Sequence, residues 1–431
     1  MLHPSSLSSM VEACRSVAHF LQIHAHSITS NLIVNRKLLA KLFQFAAISP
    51  SRNLLYAHRM FDQIPHQDTF FFNTLIRGFA RSSSPSYSIT LFNHMRASAV
   101  NPDEFTFNFL LKSQSRSATT DSYEIHGLIT KLGFHSHPFV QNTLINAYAA
   151  RGRPSEARKV FGESVKPDAI SWSGLVVAHA KAGQIDIARR VFNAMPEKDV
   201  VSYTAMITAY SHSKYPNEAV DLFIEMIDAG LAPDEITLIS VVSACKACGN
   251  LELGIGIHSY IEDNNLNKMT SLRNALIDFY AKCGCLEKAY ELFSSTRAKT
   301  SITWNVMIFA FAEHGDLNAA FWVFHEMLKA GNRPDSFTLL ALLRGHAKTG
   351  LLHESFHLFN DFIRDFKVEP TLEHYGCLVS MLCESQQVRD AYKLAVEMPF
   401  EGKESIWRTV LRAARTLGYA DIEDDVSKRL L

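Results

Sequence analysis

Apolar residues recur along this chain at helical spacing, in paired runs that repeat many times over. In residues 69–103, Phe70, Leu75, Ile76 and Phe79 form one run and Ile89, Leu91, Phe92 and Met95 a second, with Ser82–Ser84 between them. Spacings of three and four residues mark one face of an α-helix, so the stretch predicts a helical hairpin. Six segments superimpose on one another without a gap: FFFNTLIRGFARSSSPSYSITLF (70–92), FVQNTLINAYAARGRPSEARKVF (139–161), ISWSGLVVAHAKAGQIDIARRVF (170–192), VSYTAMITAYSHSKYPNEAVDLF (201–223), SLRNALIDFYAKCGCLEKAYELF (271–293) and ITWNVMIFAFAEHGDLNAAFWVF (302–324). A chain built from one repeated unit buries its apolar faces by stacking neighbours, so its function belongs along a surface rather than in a pocket.

Two kinds of punctuation set the repeat. Gly152, Gly183, Gly249, Gly284, Gly315 and Gly350 fall at the fifteenth place of their repeats, where a left-handed cap ends the first helix. Pro-Asp closes the second helix at 102–103, 167–168, 233–234 and 334–335. The spans are then 69–103, 104–137, 138–168, 169–199, 200–234, 235–269, 270–300, 301–335 and 336–371, with lengths of 35, 34, 31, 31, 35, 35, 31, 35 and 36 residues. Three flavours alternate. One opens on an aromatic followed by Asn, Ser or Thr, one follows Pro-Asp with PDEFTF, PDEITL or PDSFTL, and one is short; Ile125-His126 and Ile257-His258 recur as a pair. The expected architecture is all-α, a right-handed superhelix of about eleven helical hairpins with no strand.

Charge is balanced, with 43 Lys+Arg against 43 Asp+Glu, which by itself argues neither for nor against nucleic acid. No run of 18 apolar residues exists, so no membrane span is expected. Seven irregularly spaced cysteines do not describe a disulfide framework. Up to Phe61 the only acidic residue is Glu12, against Arg15, Arg36, Lys37, Lys41, Arg52 and Arg59, with nine serines among them. An acid-poor, basic and Ser-rich start reads as an organellar transit segment over residues 1–32; the same residues, with Ile23-His24, also read as a degenerate repeat, and the two readings overlap.

The alternation of long, short and standard units resembles the plant pentatricopeptide repeat proteins of the class that mixes them, the PLS class. The resemblance runs from about Ser6 to the end: a tandem array over 33–371, a last short repeat at 372–403 (LEHYGCLVSMLCESQQVRDAYKLAVEMPFE, 372–401), and at 404–431 a shortened form of that class's E-type extension (ESIWRTVLRAARTLG, 404–418). The resemblance implies an α-solenoid that binds single-stranded organellar RNA as a monomer, in the mitochondrion or alternatively the chloroplast. It implies a site-recognition factor for cytidine-to-uridine editing, with editing-complex proteins, including a deaminase-bearing protein, supplied in trans. Transcript stability, splicing or translation is the alternative within the same class. From a different class, a protein-binding tetratricopeptide-like scaffold would show a uniform 34-residue period, which this chain lacks. No cofactor and no catalysis are expected.

A single-stranded RNA exposes its base edges, and a solenoid offering one or two polar side chains per repeat reads them base by base. By the resemblance, the fifth and last places of each repeat select the base: Asn73 with Asp103, Asn142 with Asp168, Ser173 with Asp199, Thr204 with Asp234, Asn274 with Thr300, and Asn305 with Asp335. Asn with Asp then favours uracil, Ser or Thr with Asp favours guanine, and Asn with Thr favours a pyrimidine. Repeats 69–103 to 301–335 spell U, any, U, G, G, any, pyrimidine, U. The competing explanation of these polar places is structural, with Asp capping the following helix. Repeats opening on Pro-Asp hold Asn108, Ile239 and Leu340 at the fifth place and read weakly or act as spacers. The thirteenth place carries Arg81, Arg116, Lys181, Lys282 and Lys348, with His212 in a further repeat and Glu313 breaking the series. Such a stripe suits a phosphate backbone, and equally suits the C-terminal dipole of each first helix.

Two motifs compete with this picture. His353-Glu354-Ser355-Phe356-His357 spells HExxH, two histidines one turn apart with a general base between, but the repeat register places them on an exposed second helix. Cys245, Cys248, Cys283 and Cys285 have the types but not the spacing of a zinc site, and small residues on packed helices explain them. No metal is expected at either.

Overall fold

The computed structural model describes residues 4–49, 53–114, 122–266, 269–401 and 403–430. Among these residues there are twenty-six α-helices, a single 3-10 turn at Leu32–Val34 and no strand. The chain divides into two compact units, Met1–Ala209 and Tyr210–Leu431. In the N-terminal unit the first helices Thr69–Ala80, Glu104–Gln114, Pro138–Ala150 and Ala169–Lys181 pack each on the next, backed by Tyr87–Ala97, Ser122–Lys131, Pro154–Glu163 and Ile185–Ala194. The C-terminal unit follows the same plan. Glu235–Cys248, Thr270–Lys282, Ser301–Glu313, Ser336–Thr349, Leu372–Glu384 and Glu404–Leu417 form its first row, backed by Leu251–Asp263, Leu286–Ser295, Leu317–Lys329, Leu352–Asp365, Val388–Glu397 and Ala420–Arg429. Each unit is an α-solenoid of helical hairpins.

The core of each layer comes from the same places of the repeat. Phe72, Leu75 and Ile76 in one layer and Phe107, Leu110 and Leu111 in the next are inaccessible to solvent, as are Met307, Ile308, Leu342 and Leu343 in the second unit. These fall at places four, seven and eight, the spacing of one helix face. Phe70 departs from the expected apolar stripe: it is 44% exposed. Place two lies a turn away from the buried positions and on the edge of the helix that carries place five. In chain order the twenty-six helices make thirteen pairs rather than eleven. The extra pairs come from the ends, where the polar punctuation fades but the apolar faces persist: Leu7, Val11, Phe20 and Ile23 are buried in Pro4–Glu12 and Val17–Thr29. At the other end Trp407, Val410, Ile422 and Val426 pack with Val379, Leu382 and Val388.

Glycine at place fifteen has the expected conformation; Gly249 and Gly350 end their helices at φ 64° and 72°. In the repeat that starts at Leu372 the same place holds Gln386, which adopts φ 63° with a side chain present. A left-handed residue with a Cβ costs about 1 kcal/mol relative to glycine. Gln386 is exposed and its side chain has no packing to lose, so Gln386→Gly should stabilise the protein by roughly 0.5–1 kcal/mol in a urea titration; no change or a loss would show that the turn is relaxed as it stands.

The recurring Ile-His pair has a structural role. His126 Nδ1 lies 2.8 Å from the Tyr148 hydroxyl, and His258 Nδ1 lies 2.8 Å from that of Tyr280. His24 makes the same contact with Tyr56 at 2.6 Å, so the N-terminal segment keeps this signature of a repeat. Burial lowers the pKa of all three histidines, and of His346 and His374. Around His258, Glu262 opposes this from 3.5 Å, while Lys288 and Arg273 reinforce it. Burial also pushes the Tyr280 hydroxyl up to about 12. The unfolded chain therefore binds protons near its ordinary histidine value, about 6.5, that the folded chain refuses, so stability must fall as pH drops through that value. The thermal midpoint at pH 5.5 should lie below that at pH 7.5; a midpoint that rises on acidification would contradict this.

Candidate nucleic-acid interface

Helices stacked side by side leave a polar problem at every junction, because the first N–H groups of each helix have no partner within it. The last residue of the preceding repeat solves it. Asp103 Oδ1 accepts from the Thr106 N–H at 2.8 Å, Asp168 Oδ1 from Ser171 at 2.8 Å, Asp199 Oδ1 from Ser202 at 2.8 Å, Asp234 Oδ1 from Thr237 at 2.8 Å, and Asp335 Oδ1 from Thr338 at 3.0 Å. Thr300 caps its helix through a hydroxyl, at 3.4 Å from the Thr303 nitrogen. The structural explanation of these places therefore holds in full.

The same carboxylates also take the fifth-place side chains. Asn73 Nδ2 donates to Asp103 at 2.8 Å, Asn142 Nδ2 to Asp168 at 2.8 Å, Asn305 Nδ2 to Asp335 at 2.9 Å, and the Ser173 hydroxyl to Asp199 at 2.7 Å. The fold thus joins residues 26 to 30 positions apart in four of the six pairs named from the sequence. Thr204 lies in the first unit and Asp234 in the second. The fifth-place asparagines are about nine-tenths buried, at 8, 9 and 8% exposure for Asn73, Asn142 and Asn305. Burial alone would raise the Asp168 carboxyl, but bonds from the Ser171 N–H, the Asn142 amide and the Ser171 hydroxyl outweigh it and hold the group below the ordinary carboxylate value.

Beside this buried polar row runs an apolar one that is exposed. Phe70, Phe105, Phe139, Ile170 and Val201 in the first unit and Ile236, Ile302 and Phe337 in the second all occupy place two, with exposures from 39% at Phe139 to 70% at Phe337. Place two sits three residues before place five, hence next to it on the helix surface. The Phe105 and Phe139 rings lie 5.6 Å apart. Between Phe139 and Ile170 opens a recess of about 260 Å³ with Asn108, Asn142 and Lys112 on its walls. The sequence reading missed this row, counting Phe70 with the core. Its signal was available: an apolar residue at the one helix position whose register points away from the buried face.

The thirteenth-place cations divide. Lys181 and Lys282 are exposed and form no ion pair with any described residue. Lys348 is held by Glu313, with Nζ 3.0 Å from Oε2, and Arg344 approaches the same carboxylate at 3.6 Å. Glu313, which interrupts the series, thereby neutralises its neighbour. Arg81 ends helix Thr69–Ala80, and Arg116 lies outside the described residues.

His353 and His357 lie on the exposed face of Leu352–Asp365 with their Nε2 atoms 3.1 Å apart, and no group of His, Cys, Asp and Glu among the described residues could hold a metal ion. Cys245 is fully buried and burial pushes its thiol up to about 12, so it stays protonated and unreactive. If the junction carboxylate is the structural keystone, Asp335→Ala should cost about 1–2 kcal/mol by chemical denaturation, since it removes a cap and strands the Asn305 amide. Asp335→Asn keeps a capping oxygen and should cost less; equal losses would place the energy elsewhere.

Two models match the chain: the PPR repeat family over residues 67–115, 198–246 and 299–348, and the PPR repeat over 142–166, 170–200, 272–298 and 337–365. One pentatricopeptide repeat-containing protein of Arabidopsis thaliana is 38% identical over 414 residues, covering 96% of this chain and 77% of the relative. A second from the same plant is 37% identical over 98% of this chain and 68% of its own length, and a third, named chloroplastic, is 32% identical over 98% and 65%. Among solved structures, the maize pentatricopeptide repeat protein PPR10 superimposes with a TM-score of 0.71 at 18% identity, over 99% of this chain and 64% of that one. The same protein in complex with an 18-nt psaJ RNA element gives a TM-score of 0.75 at 17% identity, over 99% and 67%. The chain spans about two thirds of the length of PPR10. With its period, its helical pairs and its relatives in accord, the chain belongs to the pentatricopeptide repeat family.

Proposed function

We propose that this chain binds single-stranded RNA in a sequence-dependent way, one base per repeat, and performs no chemistry of its own. The observation that carries this is the pairing, on one edge of each first helix, of an exposed apolar residue with a buried, hydrogen-bonded polar one. Apolar and aromatic side chains at place two offer stacking surfaces to bases of any kind. The fifth-place amides and hydroxyls beside them supply the hydrogen bonds that discriminate between bases. The recess between Phe139 and Ile170 has Asn142 on its wall, as a slot for a single base requires. Lys181 and Lys282, exposed and without an ion pair among the described residues, serve the phosphates in this reading. That maize PPR10 was solved with an RNA element supports the assignment of ligand class.

The alternation of repeat lengths and the helical pair Glu404–Leu417 and Ala420–Arg429 support membership of the PLS class with an E-type extension. In that reading the chain selects sites for cytidine-to-uridine editing in a plant organelle, with the deaminase brought by a partner. The basic, acid-poor start and the chloroplastic relative support an organelle, mitochondrion or plastid.

Asn305→Thr should move the preference at the nucleotide facing repeat 301–335 from uracil toward guanine by about 1–3 kcal/mol, the weight of one mismatched base. Lys181→Ala or Lys282→Ala should weaken all RNAs alike and reduce the salt slope by about one. An Asn305→Thr protein that loses affinity equally for all four bases in a binding titration would show that the fifth place is structural only.

A further inference from the structure

The fifth-place asparagines make a second bond that the repeat code does not include. Thr106 donates its hydroxyl to Asn73 Oδ1 at 2.7 Å, Ser171 to Asn142 Oδ1 at 2.6 Å, and Thr338 to Asn305 Oδ1 at 2.7 Å. Each of these hydroxyls sits at the third place of the following repeat and is at least 97% buried. At Thr106 and Thr338 the hydroxyl oxygen also accepts the N–H of the capping Asp, at 3.0 Å in both cases. Each of the three hydroxyls has one proton and two acceptors in reach, the Oδ1 of Asp103, Asp168 or Asp335 at 2.9, 2.9 and 3.2 Å and the amide oxygen, which is the nearer in every case. The amide is then held at both ends. Its NH2 faces a carboxylate, which only accepts, and its C=O is the nearer acceptor for the hydroxyl proton. Turning the amide over would set oxygen against carboxylate and send the hydroxyl proton to the Asp instead.

At two junctions among the described residues that lack an amide beside a carboxylate, the hydroxyl goes elsewhere. Where the fifth place is Ser173, the Ser202 hydroxyl bonds instead to the Asp199 backbone oxygen at 2.9 Å. Where Thr300 replaces the Asp, Thr303 turns to Thr300 at 3.1 Å, and Asn274 Oδ1 is buried with no partner among the described residues.

We infer that Thr106, Ser171 and Thr338 are positioning residues for base selection: they fix which way round the fifth-place amide presents its remaining donor and acceptor, and so separate uracil from cytosine. Each locked amide has one N–H and one lone pair left over. Uracil offers an acceptor at O4 beside a donor at N3; cytosine offers a donor at N4 beside an acceptor at N3. The two pyrimidines have the same shape and opposite order. An amide free to turn meets either one, and an amide held in one sense meets only one. Asn274, lacking the lock, is the repeat that accepts both. The inference rests on the proposed base reading at the fifth place.

The test uses the full chain and synthetic RNAs of sequence 5′-UAUGGAUX-3′ flanked by adenosines, with X as U, C, A or G. Thr338→Val keeps shape and burial but removes the hydroxyl. It should shrink the U-over-C affinity ratio at X by roughly fivefold, the weight of one hydrogen bond, while the A and G affinities stay as they were. Thr338→Ser should keep the original ratio, since Ser171 already performs the task. A merely structural role would lower all four affinities together and leave the ratio alone; that result overturns the inference. Should Thr338→Val fail to fold by circular dichroism, Ser171→Ala read at the third nucleotide decides by the same criterion. Thr300→Asp should raise the U-over-C ratio at the seventh nucleotide by a similar factor, and Thr303→Val added to it should cancel the gain. Asn305→Thr in the same assay separates the two levels. If it moves the preference to guanine while Thr338→Val leaves the ratio unchanged, the base reading stands and the positioning role fails. If it weakens every RNA equally, or no RNA binds, both fall.

Discussion

The carboxylate that closes five of the repeat junctions is the interaction on which this fold most depends. Stacking one helical hairpin on the next buries the N-terminus of each first helix, and the unpaired N–H groups there must find an acceptor. Asp103, Asp168, Asp199, Asp234 and Asp335 supply it. Because the residue that caps one repeat is the last residue of the repeat before, the cap is also the joint. A carboxylate oxygen accepts more than one bond, and the spare capacity goes to the fifth-place side chain of the preceding helix. In the proposed reading stability and recognition therefore draw on the same atoms, and the fifth-place side chain is held rigid by the bond that holds two repeats together.

The edge of the first helix combines properties that are rarely neighbours. Place two is apolar and open to solvent, while place five is polar and nearly closed to it. An exposed apolar row has no reason to exist in a protein that meets only water, and a buried amide has no reason to exist in one that needs only a core. In the proposed reading stacked bases satisfy both requirements at once, covering the first and hydrogen-bonding to the second. Net charge is a poor guide to such a surface. The chain has equal numbers of acidic and basic residues, yet Lys181 and Lys282 have no ion pair among the described residues while Glu313 occupies Lys348 and draws in Arg344. Which cations are open to a phosphate is a property of contacts rather than of composition.

The motifs that fail are instructive for the same reason. HExxH places two histidines on one face of a helix, and the helix Leu352–Asp365 does bring their rings together. It turns that face to solvent, because Ser355, between them in sequence, faces the core. Spacing within one helix settles which side chains meet, but only the neighbouring helix settles whether they line a site. The cysteines differ in that burial alone disarms Cys245.

Repetition made most of the fold legible in the sequence. Apolar spacing of three and four residues, glycine at the fifteenth place and Pro-Asp at the junction are each weak signals, but six aligned copies leave a single register, and with it the hairpins; the pairing of places five and last came from the family resemblance that this register carries. The ends were less legible, since Pro4–Glu12 to Leu54–Asp62 keep apolar faces without the polar punctuation. What tertiary structure alone decided was direction. Phe70 and Phe72 are both apolar and two residues apart, and only the packing of neighbouring helices shows one open and the other closed. Likewise the sequence places Asn305, Asp335 and Thr338 at known positions of the repeat. That Thr338 reaches back across the junction to the Asn305 amide depends on how closely two helices approach, a distance that is set by the side chains packed between them.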